Sequence, residues 1–141
     1  MATAPSTMTS TESTLQWSEQ EPAAEVRNAH YLDELLDGLA AKARPDFPIA
    51  VRLHSHGCSV DLLLGLIQSF VYVDEPGPRR YYISVGDPQA EGATEFCLLG
   101  MHHTEWENRH LVPLATARRV VREFFNTSQR SACIQWEEGR Y

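Results

Sequence analysis

The chain has 141 residues, 43% of them hydrophobic and 22% charged, with a formal net charge of −7. That length suits one domain with a real core, and the composition excludes wholesale disorder. The acidic balance argues against a nucleic-acid binder, which gains affinity by neutralising phosphates with Lys and Arg, and no apolar run nears the ~20 residues of a membrane span.

Residues 1–14 are rich in Ser, Thr, Ala and Pro and read as a flexible tail, leaving 15–141 as a single domain. The tail lacks the basic and apolar regions of a secretory signal, so the cytoplasm is the expected location. A short extended piece is expected at Ala23–Arg27. A helix over 29–43 follows, because Leu32, Leu35, Leu36, Leu39, Ala40 and Ala43 recur at three- and four-residue spacing. Asn28 suits its N-cap and Pro45 stops it.

Ile49–His54 alternates, with Ile49, Val51 and Leu53 on one face, and reads as a strand. Ser55–Ser59 contains Gly57 and reads as a turn. Val60–Leu66 is a nearly continuous apolar run, expected to be a central strand covered on both faces. Phe70–Val73, Arg80–Val85 and Glu95–Leu99 read as further strands, separated by turns at Asp74–Pro78 and Gly86–Pro88.

Beyond Pro113 the period changes again. Leu114, Ala117, Val121, Phe124 and Phe125 form the apolar face of a second helix, with Pro113 at its start and Asn126 as the stop. Ala132–Trp136 alternates as a last strand. The expected fold is α+β: a single antiparallel sheet of about five to six strands in a meander, with two main helices packed on it.

Three stretches hold residues capable of chemistry. In His54-Ser-His56-Gly-Cys58, three metal-capable side chains alternate, but the spacing matches no familiar zinc motif. A polar turn between strands explains them better. His102-His103-Thr-Glu105-Trp106-Glu107 contains the H-x-E half of the zinc deaminase signature. The P-C-x-x-C half is absent, since Cys133 is followed by Ile-Gln-Trp, so a solvated loop is the preferred reading. The alternative is a small-molecule enzyme or ligand binder using His102, His103 and Glu105 as acid/base groups. Trp136-Glu137-Glu138 joins a large aromatic to two carboxylates, with Trp136 expected in the core. No phosphate loop or dinucleotide fingerprint exists, and no cofactor is expected. The three cysteines, Cys58, Cys97 and Cys133, are odd in number and scattered, so reduced, buried thiols are expected.

Charge is unevenly spread. No Lys or Arg lies between Arg80 and Arg109, where Asp87, Glu91, Glu95, Glu105 and Glu107 all occur. A single-sign surface of this kind attracts basic partners and repels nucleic acid.

Ser84-Val-Gly-Asp87, Leu99-Gly-Met-His-His-Thr-Glu-Trp106, Arg109-His-Leu-Val-Pro-Leu114 and Cys133-Ile-Gln-Trp-Glu-Glu138, in that order, resemble the type-one immunity-protein family of bacterial polymorphic-toxin systems. The resemblance is strong over the C-terminal half and looser over the helix Asn28–Ala43. It implies a cytoplasmic α+β protein that occludes the active site of a cognate toxin, in some members a nucleic-acid deaminase, without catalytic residues or cofactor. A toxin acting on nucleic acid must present a basic groove. The expected partner-facing residues are therefore Asp87, Glu91, Glu95, Glu105, Trp106 and Glu107, with Glu137 and Glu138 as a second patch.

Overall fold

The computed structural model describes residues 13–18, 20–77, 80–98 and 102–140, with the side chains of 96–98, 102, 103 and 140 outside that description. Strands β1 (Ser13–Gln16) and β2 (Ala24–Val26) precede helix α1 (Ala29–Lys42). Then come β3 (Ile49–Ser55), β4 (Cys58–Leu64), the short β5 (Gln68–Ser69), β6 (Val71–Glu75) and β7 (Arg80–Val85). The last part holds β8 (Ala93–Leu98), β9 (His102–Glu107), a 3-10 turn (Asn108–His110), β10 (Val112–Pro113), helix α2 (Leu114–Thr127) and β11 (Gln135–Arg140).

Seven strands form one sheet in the order β11-β7-β6-β4-β3-β1-β2, every neighbouring pair antiparallel. The class is α+β as expected, but the sheet is larger than five to six strands. The addition is β1, which pairs at one edge with β2, the short extended piece expected at Ala23–Arg27. β1 starts at Ser13, inside the stretch read as tail; residues 1–12 lie outside the described residues.

Local signals set the helix ends. The Asn28 side chain accepts a hydrogen bond from Tyr31 N at 2.8 Å and caps α1. α2 runs past Asn126, the expected stop. Its left-handed residue is Ser128, φ 65°, whose N–H closes on Phe124 O at 2.8 Å.

Both helices pack on one face of the sheet. Leu32, Leu36 and Leu39 from α1 and Val120, Val121 and Phe124 from α2 meet Val51, Leu53, Val60, Leu62, Leu64 and Val71, all buried. Leu63 points the other way, into a small second cluster with Phe70, Trp106 and Leu111. β4 is therefore covered on both faces, which is why its sequence is apolar without alternation. It ends at Leu64, earlier than expected, where Gly65 takes φ 119° close against the Arg44 carbonyl.

Several segments depart from the sequence reading. The five-residue turn expected over Ser55–Ser59 shrinks to His56-Gly57, both at positive φ (56° and 80°), between the paired Ser55 and Cys58. That is the primed two-residue hairpin geometry, which matches strand twist. The last strand is Gln135–Arg140 rather than Ala132–Trp136. Ser131 Oγ accepts from Cys133 N at 3.1 Å and holds 132–134 in a turn, while Trp136 Nε1 donates to Ser131 O at 2.9 Å. Trp136 is half-buried against the core. Cys58 is half-buried and Cys133 exposed, so neither fills the buried role expected of it. The Cys97 side chain lies outside the described residues. The strand expected at Glu95–Leu99 does not join the meander; it is β8, paired among the described residues with β9 alone, so His102–Glu107 is a strand and not a loop. Among the described residues no helix is long and apolar enough to cross a membrane.

Candidate functional site

The β8–β9 hairpin sits on the sheet face opposite the helices. Its register pairs Thr94 with Trp106 and Glu95 with Glu105. Side chains alternate along a strand, so Trp106 turns towards the sheet while Glu95, Glu105 and Glu107 occupy the outer side. The Trp106 indole is stacked on Phe70, ring centroids 3.7 Å apart, and meets Tyr72 edge-on at 6.3 Å. It is half-buried, and that packing anchors the hairpin.

The base of the hairpin is tied by polar contacts. Thr94 Oγ1 donates to Asn108 Oδ1 at 2.5 Å, and Asn108 Nδ2 donates to Glu91 O at 3.0 Å. Asn108 N donates to Gly92 O and Gly86 N to Arg109 O. The buried Ser84 hydroxyl donates to His110 O at 2.8 Å and accepts from Val71 N at 3.0 Å, joining the 3-10 turn to the sheet. Gly86 is required here, because a Cβ would run into the Leu111 carbonyl.

Arg109 lies between two carboxylates. It donates to Glu107 at 3.2 and 3.3 Å and makes a two-pronged pair with Glu137, one prong at 3.2 Å. Hydrogen bonds from Arg109 hold the carboxyls of Glu107 and Glu137 below the usual carboxylate range, and the two carboxylates hold the guanidinium above its ordinary value. Next to this cluster the His110 side chain is buried, with Nε2 3.5 Å from Glu137 Oε1.

The structure thus divides the expected partner-facing residues. Asp87, Glu91, Glu95 and Glu105 are exposed on the β7–β8 loop and the hairpin, with the Asp87 carboxylate also accepting from Gln89 N. Glu107 is drawn together with Glu137 by Arg109. Glu138 is the next residue along β11, paired with Arg80 at 3.7 Å. His102 and His103 stand opposite Leu98 and Cys97 in the hairpin, their side chains outside the described residues. His54 and His56 are exposed at the β3–β4 turn, and Cys58 follows it. Burial, then Glu75 and Asp74, push the Cys58 thiol up, away from the thiolate a metal or nucleophile role needs. Among the described residues, no three His, Cys, Asp or Glu side chains are grouped to hold a metal ion.

Sequence reasoning passed over Phe70, Asn108 and Arg109 as functional residues. Arg109 carried a usable signal, being the first cation after a long acidic stretch. Three stretches distant in sequence, around Ser84, Trp106–His110 and Glu137, converge on this junction. A family model described as Immunity protein Imm1 matches residues 20–138. No match was found among curated proteins.

Proposed function

Because the chain belongs to the Imm1 family of immunity proteins, we propose that it binds a cognate toxin and blocks its basic active-site groove with the carboxylates of the β7–β8 loop and the β8–β9 hairpin. The observation that carries this reading is the exposure of four carboxylates, Asp87, Glu91, Glu95 and Glu105, along the β7–β8 loop and the outer side of the hairpin, where Glu95 stands opposite Glu105. A toxin that acts on nucleic acid, a deaminase among them, needs cations to hold phosphates, and an acidic hairpin can take the place of that substrate. Asp87 and Glu91 extend the same sign along the loop that leads into the hairpin.

Titration calorimetry against the catalytic domain of any toxin encoded beside this gene tests it. The expected result is a tight complex that weakens as salt rises. Glu95→Lys with Glu105→Lys should weaken it at least about tenfold, mainly through slower association. The reading fails if the unaltered protein does not bind, or if the double reversal leaves the affinity within twofold.

A further inference from the structure

Between α2 and β11, residues 128–134 run past the helical side of the sheet, the side away from the hairpin, and border a cavity of about 610 Å³. That volume falls within the range of small-ligand sites. One wall is apolar. Trp136, Ile134 and Cys58 are half-buried there against the main core, and Pro76 adds to the lining.

The polar part of the lining is built on Arg130. Its guanidinium lies over the buried Tyr82 ring, with Cζ 3.6 Å from the centroid, and its Nε donates to Glu75 Oε2 at 2.9 Å. That is its one hydrogen bond among the described residues, so both Nη groups keep their donors unspent. A guanidinium fixed on two sides with an open fork is preorganised for a planar group bearing two acceptor oxygens. Arg109 of the same chain shows the complete arrangement, holding Glu107 with one edge and Glu137 with the other. Arg130 has one carboxylate partner where Arg109 has two.

We propose that this cavity binds a carboxylate carried on an apolar body, with the Nη fork of Arg130 taking the carboxylate and Trp136 and Ile134 packing the body. Glu75 offsets the charge of Arg130, so the fork and the apolar wall are needed together, and a bare small anion gains little. A free hydrophobic acid and the C-terminal residue of a peptide present the same chemistry. The site does not depend on the immunity reading, because it lies on the other side of the sheet from the hairpin.

The test follows the isotope-labelled full chain by NMR, at the amides of residues 128–136 and the Trp136 indole N–H. The probes are 3-phenylpropionate, N-acetylphenylalanine as a stand-in for a peptide C-terminus, and the primary amide of each. At least one acid should shift these signals with a Kd below about 1 mM, and its amide should bind at least about tenfold more weakly. Binding of 3-phenylpropionate assigns the site to free acids, and binding of N-acetylphenylalanine alone assigns it to chain termini. Arg130→Lys keeps the charge but loses the fork, and should weaken the acid about tenfold. Its thermal midpoint is checked, since Arg130 also packs on Tyr82. Ala132→Trp fills the cavity from an exposed lining position with Arg130 intact, and should abolish the shifts even if Arg130→Lys fails to fold. The proposal is overturned if neither acid moves these signals at about 10 mM, if acid and amide bind equally, or if Ala132→Trp binds like the unaltered protein.

Discussion

The Trp106 indole and the Phe70 ring lie stacked with their planes only 12° apart. One side chain comes from the hairpin and the other from the segment leading into β6, so this contact decides how the hairpin is carried on the sheet. Asn108 and Arg109 add polar ties, but the apolar area is at Trp106.

Trp106→Ala should therefore destabilise the protein by about 2–4 kcal/mol, the usual range for losing a large aromatic that is packed but not fully enclosed. Urea unfolding gives the number. Hydrogen exchange at β9 should rise more than at β4. A loss under about 0.5 kcal/mol would mean that the hairpin is held by its backbone ties.

Acid should loosen the Arg109 cluster. Glu107 and Glu137 sit below their ordinary value of 4.5 in the folded chain. The unfolded chain thus binds more protons in that range, and stability rises with pH through it. The contribution is complete above about 4.5 and is lost as the pH falls through the lowered folded values. Calorimetric midpoints between pH 3 and 6 should drop more steeply for the unaltered protein than for Arg109→Gln. Parallel curves would show that the ion pairs are screened to nothing.

Gly86→Ala should cost about 1–3 kcal/mol, since its Cβ would strike the Leu111 carbonyl, a backbone atom that cannot swing aside. The same change at Gly38, with no atom in reach of a new Cβ, should be neutral or stabilising by the higher helix propensity of Ala. Equal effects at the two glycines would contradict the close approach.

His56→Asn should raise stability by roughly 0.5 kcal/mol, because Asn adopts positive φ more readily in a primed turn. Denaturant midpoints measure it. A midpoint that zinc raises in the unaltered protein but not in the variant would instead mark His54, His56 and Cys58 as metal ligands.

The two helices and β3, β4 and β7 were legible because each is long, periodic and buried on a defined side. The Asn28 cap and the break at Pro45 followed from local chemistry alone. The hairpin was not legible: His102–Glu107 is polar, and its strand character comes from pairing with β8 and from the seat that Phe70 gives to Trp106. β11 was placed too early because Ala132–Trp136 alternates well, whereas the Ser131 hydroxyl and carbonyl bonds hold that stretch in a turn. Of the candidate site, the run of carboxylates could be read directly. Its division could not, since the pairing of Glu107 with Glu137 depends on a cation between them and on a strand that returns from the end of the sequence.

That returning strand has a consequence for synthesis on the ribosome. Val85 and its neighbour in the sheet, Gln135, are separated by about fifty residues, and elongation proceeds at about 5–20 residues per second. For several seconds the nascent chain thus carries β7 as a bare margin with unpaired amide and carbonyl groups, a template for any other extended segment nearby. A product released before Gln135 keeps that margin permanently, so premature termination should yield aggregates and not a weakened but soluble protein.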